Sequence, residues 1–283
     1  MLVVFKYTGF FIDNINKALG SEIHNPSIAL PLGISFFTFQ AMSYVIDVYR
    51  GDAKVQNNLL NLALYISLFP QLVAGPIVRY QTVADQIDER SHNLDKFTNG
   101  VNRFILGLGK KVLLSNSLGL LADNVFGTQI GSLTICSAWI GIIAYSLQIF
   151  FDFSGYSDMA IGLGQMFGFE FLENFNYPYI SKSAGEFWRR WHISLGSWFR
   201  DYVYISLGGS RNGNLRTYIN LFIVWFLTGF WHGASWTFIA WGLYFGFIIA
   251  LEKAFLNKIL SRIYIPIRHL YLIIVVIIGW IFF

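Results

Sequence analysis

The chain has one cysteine, six prolines and little charge: Asp, Glu, Lys and Arg together make up 13% of its 283 residues, where a soluble domain carries about 25%. Each scarcity excludes something. The single Cys136 forms no internal disulfide and builds no metal site. It lies in the apolar run Leu133 to Phe151 and is expected to be a buried packing thiol rather than a nucleophile. Neither HExxH nor CxxC occurs, so no metal centre is expected. With 55% hydrophobic residues, the chain is not a globular enzyme with an anchor but a polytopic, all-α membrane protein. Its first partner is the lipid bilayer, and no nucleic-acid partner is expected. Aromatics at 18%, including 28 Phe, suit lipid-facing and interfacial surfaces.

No secretory leader is read at the N-terminus, since Met1 to Phe11 lacks a basic start and a small-residue cleavage site. The short apolar runs Met1 to Phe11 and Leu270 to Phe283 look like cuts through a longer membrane protein, and residues 1–283 read as one membrane domain. No internal repeat or low-complexity segment is present.

The largest gap in charge runs from Thr217 to Leu251, which contains no Asp, Glu, Lys or Arg. At about 1.5 Å per residue one helix through all of it would run roughly 50 Å, against a hydrocarbon core of about 30 Å. A break is therefore expected, near Gly229, Gly233 and Ser235. His232 lies at that break. An ionisable side chain in such a segment is costly and by default functional, although a histidine there can also satisfy a helix end and do nothing else.

Elsewhere, Ile28 to Val45 is a spanning candidate with Pro31 in its first turn. Leu59 to Val78 carries Pro70 and the turn Ala74-Gly75-Pro76, and reads as a broken or re-entrant segment. Val101 to Val125 is amphipathic around Lys110 and Lys111. It is either interfacial or a span that buries Lys110 against protein, and its N-terminal half reads as interfacial. Leu133 to Phe151 is a clean span. After it, Asp152 to Asp158 reads as a glycine turn, with Asp158 placed to cap a helix starting at Met159. Asp152 directly follows the apolar run and is harder to account for as a cap. Gly162, Gly164 and Gly168 have the spacing that lets helices approach closely.

Positive charge is concentrated in one place. Between Lys182 and Arg216, six basic side chains against two acidic ones carry +4, the net charge of the whole chain. Basic residues next to spans mark the cytoplasmic side. Within this region Phe187, Trp191, Leu195, Trp198 and Tyr202 recur at helical spacing, which predicts one amphipathic helix, aromatic on one side and basic on the other. An interfacial anchor explains the tryptophans and arginines; it does not require His192. Leu207 to Arg211 reads as a turn. Burial pushes an imidazole toward neutrality, and a neutral imidazole accepts a proton. Arginines at a cytoplasmic mouth attract a phosphate-rich or otherwise anionic donor. These residues together suggest a tunnel with a base inside and an anion-binding entrance.

The runs Glu186 to Leu195, Trp198 to Tyr202 and Trp231 to Trp236 resemble the membrane-bound O-acyltransferase family, most of all its bacterial alginate O-acetylation branch. The D-alanyl-lipoteichoic acid transfer proteins are cousins. Pro31 to Phe37, Phe69 to Pro76 and Phe151 to Asp158 are similar to further motifs of that branch, in the same order. Gly196 stands where the branch usually has Ser, and Ser206 where Pro is common; neither change removes a reactive group.

The resemblance implies a multi-helix bundle of broken helices around a tunnel, in a multi-pass protein of the cell's inner membrane. It implies transfer of an acyl group, expected to be acetyl, from a cytoplasmic thioester toward an extracytoplasmic polysaccharide such as alginate. The donor would be acetyl-CoA or an acyl carrier, with no bound cofactor. An extracytoplasmic acetyltransferase partner often makes the last step. His232 and His192 match the family's two motif histidines and are the expected catalytic residues. Arg189, Arg190 and Arg200 are expected to hold the donor. Trp188, Trp191, Trp231 and Trp236, with Asp152 and Asp158, are expected to build the tunnel. The rival readings are a transporter or channel, D-alanyl transfer to teichoic acid, and a structural membrane partner whose histidines only cap helices. Solute flux without an acyl donor would single out the first.

Overall fold

The computed structural model describes residues 2–26, 28–72 and 75–283. Among them there is no β-strand. The helices are α1 (Leu2–Leu19), α2 (Ile34–Arg50), α3 (Leu59–Ser67), α4 (Tyr80–Asp88), α5 (Leu94–Gly109), α6 (Asn116–Phe126), α7 (Ile135–Met166), α8 (Ala184–Arg190), α9 (Ile193–Trp198), α10 (Gly213–His232), α11 (Trp236–Leu251), α12 (Asn257–Leu260) and α13 (Ile265–Ile281). Among the described residues three stretches are long and apolar enough to cross a membrane: Leu94–Phe126, Ile135–Met166 and Trp236–Leu260.

The first of these spans α5 and α6 through a π-helical turn, Lys110–Ser115. It is one continuous rod of spanning length, and its lysines have partners. Lys110 pairs with Asp158 and Lys111 with Asp152, both on α7. An apolar stretch that carries cations can cross a membrane when carboxylates on a neighbouring helix meet them.

α7 corrects the sequence reading. Asp152 to Asp158 is not a turn but the middle of a 32-residue helix, and Asp158 caps nothing. The glycines there serve close packing instead. A Cβ on Gly155 would sit 2.8 Å from the carbonyl oxygen of Gly107, and one on Gly162 would sit 2.6 Å from that of Gly100. The small residues thus let α5 and α7 touch backbone to backbone; of the three glycines expected to do so only Gly162 makes this contact, while Gly164 packs on the Phe171 ring and Gly168 sits in a left-handed turn past the helix end. Cys136, in the first turn of α7, is exposed rather than buried; a run apolar on every side carries no periodicity to say which face is inward.

α2 also starts later than predicted. It begins at Ile34, and Pro31 lies outside it, because Gly33 adopts a left-handed turn (φ 74°) as the N-cap. α3 stops at Ser67 and a short 3₁₀ turn over Phe69–Gln71 takes up Pro70, so that segment is broken as predicted. The predicted Ala74-Gly75-Pro76 turn falls partly outside the described residues. Gly208 and Gly209, both at positive φ, make the predicted turn before α10.

The charge-free stretch divides where expected. α10 ends at His232, Gly233 is extended, and the Ser235 hydroxyl accepts from the Thr237 amide to start α11. The two helices fold back on each other through Gly229 and Gly242. A Cβ on Gly229 would run into the carbonyl of Phe238, and one on Gly242 into that of Trp225. Gly242→Val is therefore expected to destabilise the protein by about 1–3 kcal/mol, seen as a lower unfolding midpoint in detergent, whereas Val in place of the unhindered Gly131 is expected to change little.

Candidate active site

The predicted basic amphipathic helix is broken at His192. α8 ends at Arg190, His192 takes a left-handed conformation (φ 46°), and α9 starts at Ile193. The cause lies in residues 174–176. The Asn176 amide donates to the carbonyl of Arg190 at 2.9 Å, and the Ile193 amide donates to the carbonyl of Asn174 at 2.9 Å. Those two groups would otherwise belong to the ladder of a continuous helix, and a neighbouring segment satisfies them instead. A π-helical turn, Phe199–Tyr204, follows α9. The predicted aromatic face survives the break: Phe187, Trp191, Leu195, Trp198 and Tyr202 are all buried.

The corner between α8 and α9 faces the end of α10 across a cavity of about 700 Å³. Its walls come from α7 (Asp152, Phe153), α8 (Trp188, Arg189), the corner itself (Trp191, His192), α9 and its π turn (Leu195, Arg200), α10 (Trp231, His232) and α11 (Trp241). Lys6 of α1 and Ser35 of α2 close another side. His192 and His232 thus line one space, and Trp231 touches both rings, with centroids 6.4 Å and 4.9 Å away.

The two imidazoles are held differently. His192 is buried, with its Nδ1 3.2 Å from Asn174 Oδ1 and its Nε2 without a hydrogen-bond partner among the described residues. Phe153 packs edge-on against its ring at 4.6 Å. Burial pushes its pKa well below the usual histidine value, and the charge of His232 pushes the same way. The His232 ring is half-buried and is positioned by packing, against Trp241 at 4.9 Å and Phe283 at 5.0 Å. Its backbone is fixed by Lys6, whose Nζ donates to the carbonyls of Trp231 and His232. A cation at the open carbonyls of a helix end satisfies them and complements the helix dipole.

The arginines separate. Arg189 is exposed in the cavity wall and makes no ion pair or hydrogen bond with the described residues. Arg200 also lines the cavity, with its guanidinium held by Asp201 at 2.6 and 3.1 Å. Burial pushes the Asp201 carboxyl up, but Arg200 and Arg79 outweigh it and leave the group below the usual carboxylate range. Arg190 is not in the cavity wall; it binds Glu186 at 3.1 Å and the carbonyl of Asn176. Among the remaining expected tunnel residues, Trp188, Trp191, Trp231 and Asp152 line the cavity. Asp158 faces α5, and Trp236 is 63% exposed, its indole donating to Asn14 of α1 at 2.9 Å.

Three further residues hold the site without having stood out in the sequence. Lys6 had a signal, a lone cation in an apolar run. Glu252 ends the charge-free stretch; its buried carboxylate accepts from the amides of Ala184 and Gly185 at 2.6 and 2.9 Å and from Tyr271, anchoring the start of α8. Asn174 carried no sequence signal.

An imidazole that burial pushes toward neutrality, a guanidinium without a partner among the described residues and apolar walls in one cavity suit proton abstraction beside a bound anion. The sequence profile of the membrane-bound O-acyltransferase family matches residues 53–283. The chain belongs to this family. It is 48% identical, over its whole length, to a Pseudomonas aeruginosa protein named probable alginate O-acetylase, of which it covers 55%. It is 38% identical over 90% of its length to the peptidoglycan O-acetyltransferase of Helicobacter pylori, covering 53% of that protein. The teichoic acid D-alanyltransferase of Bacillus subtilis is a more distant relative, 30% identical over 79% of this chain and 59% of its own. The chain thus spans little more than half the length of these relatives. As a membrane-bound O-acyltransferase relative with apolar helices of spanning length, it is a membrane protein.

Proposed function

We propose that this chain carries the transfer centre of a multi-pass inner-membrane O-acetyltransferase. It moves an acetyl group from a cytoplasmic thioester, acetyl-CoA or an acyl carrier, toward an extracytoplasmic polysaccharide such as alginate. The observation that carries this reading is the shared cavity, lined by His192, His232 and an Arg189 that has no partner among the described residues. In this reading His232 takes the proton from an acceptor hydroxyl, on the glycan or on an extracytoplasmic acetyltransferase partner. The hydroxyl oxygen attacks the thioester carbonyl, the C–S bond breaks, and the departing thiolate takes up the proton. His192 positions the thioester or assists that proton movement. Arg189, with Arg200 beside it, holds the anionic part of the donor; Arg190 contributes by fixing the loop that turns the chain at His192.

The test is transfer by the full-length protein in sealed vesicles given labelled acetyl-CoA. Thioester consumption with label appearing in an O-ester is expected. Solute flux with no thioester consumed would overturn the reading. In the same assay Arg189→Gln is expected to raise the KM for acetyl-CoA about tenfold or more, the value of a charge-assisted hydrogen bond. kcat should stay within about twofold, because the contact is made equally before and during the chemical step.

A further inference from the structure

Asn174 lies outside the segments compared above with family motifs, yet four hydrogen bonds converge on it from the corner that carries His192. Its backbone carbonyl accepts from Ile193 at 2.9 Å. Its Oδ1 meets the Ser194 amide at 3.1 Å, the Ser194 hydroxyl at 2.9 Å and His192 Nδ1 at 3.2 Å. The identity of that side-chain atom is fixed by its neighbours. A backbone amide can only donate, so the atom facing Ser194 N is the oxygen, and the Asn174 Nδ2 is left to donate to Ser157 at 3.1 Å. The Ser194 hydroxyl accepts from the Ile77 amide at 3.0 Å, and its own proton has two possible acceptors, Asn174 Oδ1 at 2.9 Å and His192 Nδ1 at the 3.5 Å limit; the much shorter contact gives it to Asn174. An amide oxygen can only accept. His192 must therefore present a proton on Nδ1, and in the neutral ring that leaves Nε2 unprotonated. Nε2 is the nitrogen with no partner among the described residues.

We propose that Asn174 is a positioning residue that locks His192 as its Nδ1–H tautomer, so that a lone pair on Nε2 is held ready in the cavity wall. The asparagine never touches the reactants; it acts through the ring. Its carbonyl bond to Ile193 and its side-chain bonds to Ser194 also hold the left-handed backbone at His192, so tautomer and orientation are set by one residue. This inference rests on the proposed transfer reaction for its kinetic consequences, but the tautomer itself does not.

The experiment has two arms. The first is nitrogen NMR on the full-length protein labelled with [15N]histidine, with the His192 signals assigned by their loss in His192→Gln. The wild type is expected to show a protonated, pyrrole-type Nδ1 and an unprotonated, pyridine-type Nε2. Asn174→Ala is expected to lose that bias. A protonated Nε2 in the wild type, or an unchanged tautomer in Asn174→Ala, would overturn the proposal. The second arm is acetyl transfer. Asn174→Ala is expected to lower kcat about 10- to 100-fold through misorientation with KM within about twofold. Because alanine also removes the bonds to Ser194, Asn174→Asp separates fold from function. Its carboxylate accepts the same three donors, and the Ser157 hydroxyl can turn to donate to it. Lys6, Asp152, Arg189, Arg200, Tyr204 and His232, the charged or titratable groups sharing the cavity with His192, are the same in every variant. The aspartate is therefore expected to restore most of kcat while moving the acid limb of its pH profile up by about one unit or more, as an adjacent negative charge favours the protonated ring. A profile identical to wild type, or no recovery over alanine, would count against the proposal. If no variant and no wild-type protein transfers acetyl, the proposed function fails while the first arm still decides the tautomer.

Discussion

His232→Ala is expected to lower acetyl transfer by about 10²–10⁴-fold, the range for loss of a general base, with the fall in kcat rather than in KM. The geometry favours this residue over His192 as the group that meets the acceptor. The His232 ring is only half-buried and is bounded by aromatic faces, so its nitrogens are the ones a hydroxyl can reach. His192 is buried and committed on one side to Asn174. The break in the helix should survive the substitution, because Lys6 holds the carbonyls of Trp231 and His232 and makes no use of the ring. Elution as a single monodisperse species, with an unfolding midpoint near that of the parent, would show that it does. Wild-type turnover by such a folded variant would remove the base assignment. Loss of turnover together with loss of fold would instead support the structural reading of the histidine.

Features governed by local composition were legible in the sequence. A charge-free stretch too long for one helix had to break, and glycine and serine marked where. The aromatic stripe from Phe187 to Tyr202 had to be buried on one side. What escaped depends on distant segments. The same stripe predicted a continuous helix, because nothing near His192 announces that residues 174–176 take over its backbone hydrogen bonds. Gly155 read as a turn residue because its local preference is for turns; only the approach of Gly107 shows that it serves a helix contact. Asp158 next to it read as a cap for the same reason, and its true partners are 48 and 55 positions away. The two motif histidines could be named from the resemblance, whereas the lysine that fixes one and the asparagine that fixes the other could not.

Those partners make Asp158 a position where one side-chain deletion should do large damage to the fold. Its carboxylate, 12% exposed, lies between Lys110 and Arg103 on the neighbouring rod. The glycine contact between Gly107 and Gly155 presses the two helices together beside it. Asp158→Ala would leave Lys110 with no counter-charge in a stretch of spanning length, while Arg103 keeps both oxygens of Glu173 at 2.6–2.7 Å. Removing one partner of a buried pair costs about 3–5 kcal/mol. Both cations are partly exposed, at 36% and 29%, so a loss of about 3 kcal/mol is expected. Lys110→Met alone should cost much less, because Asp158 retains Arg103. Combining it with Asp158→Leu removes the stranded charge along with its partner and should recover a good part of the loss, since an apolar pair of similar volume often replaces an ion pair at little cost. Unfolding midpoints in one detergent, ranked with Lys110→Met above the double variant and Asp158→Ala lowest, would show that the pair neutralises a cation the membrane would otherwise reject. If Asp158→Ala matched the parent, water would have to reach Lys110, and the rod would be solvated where its sequence reads as a span.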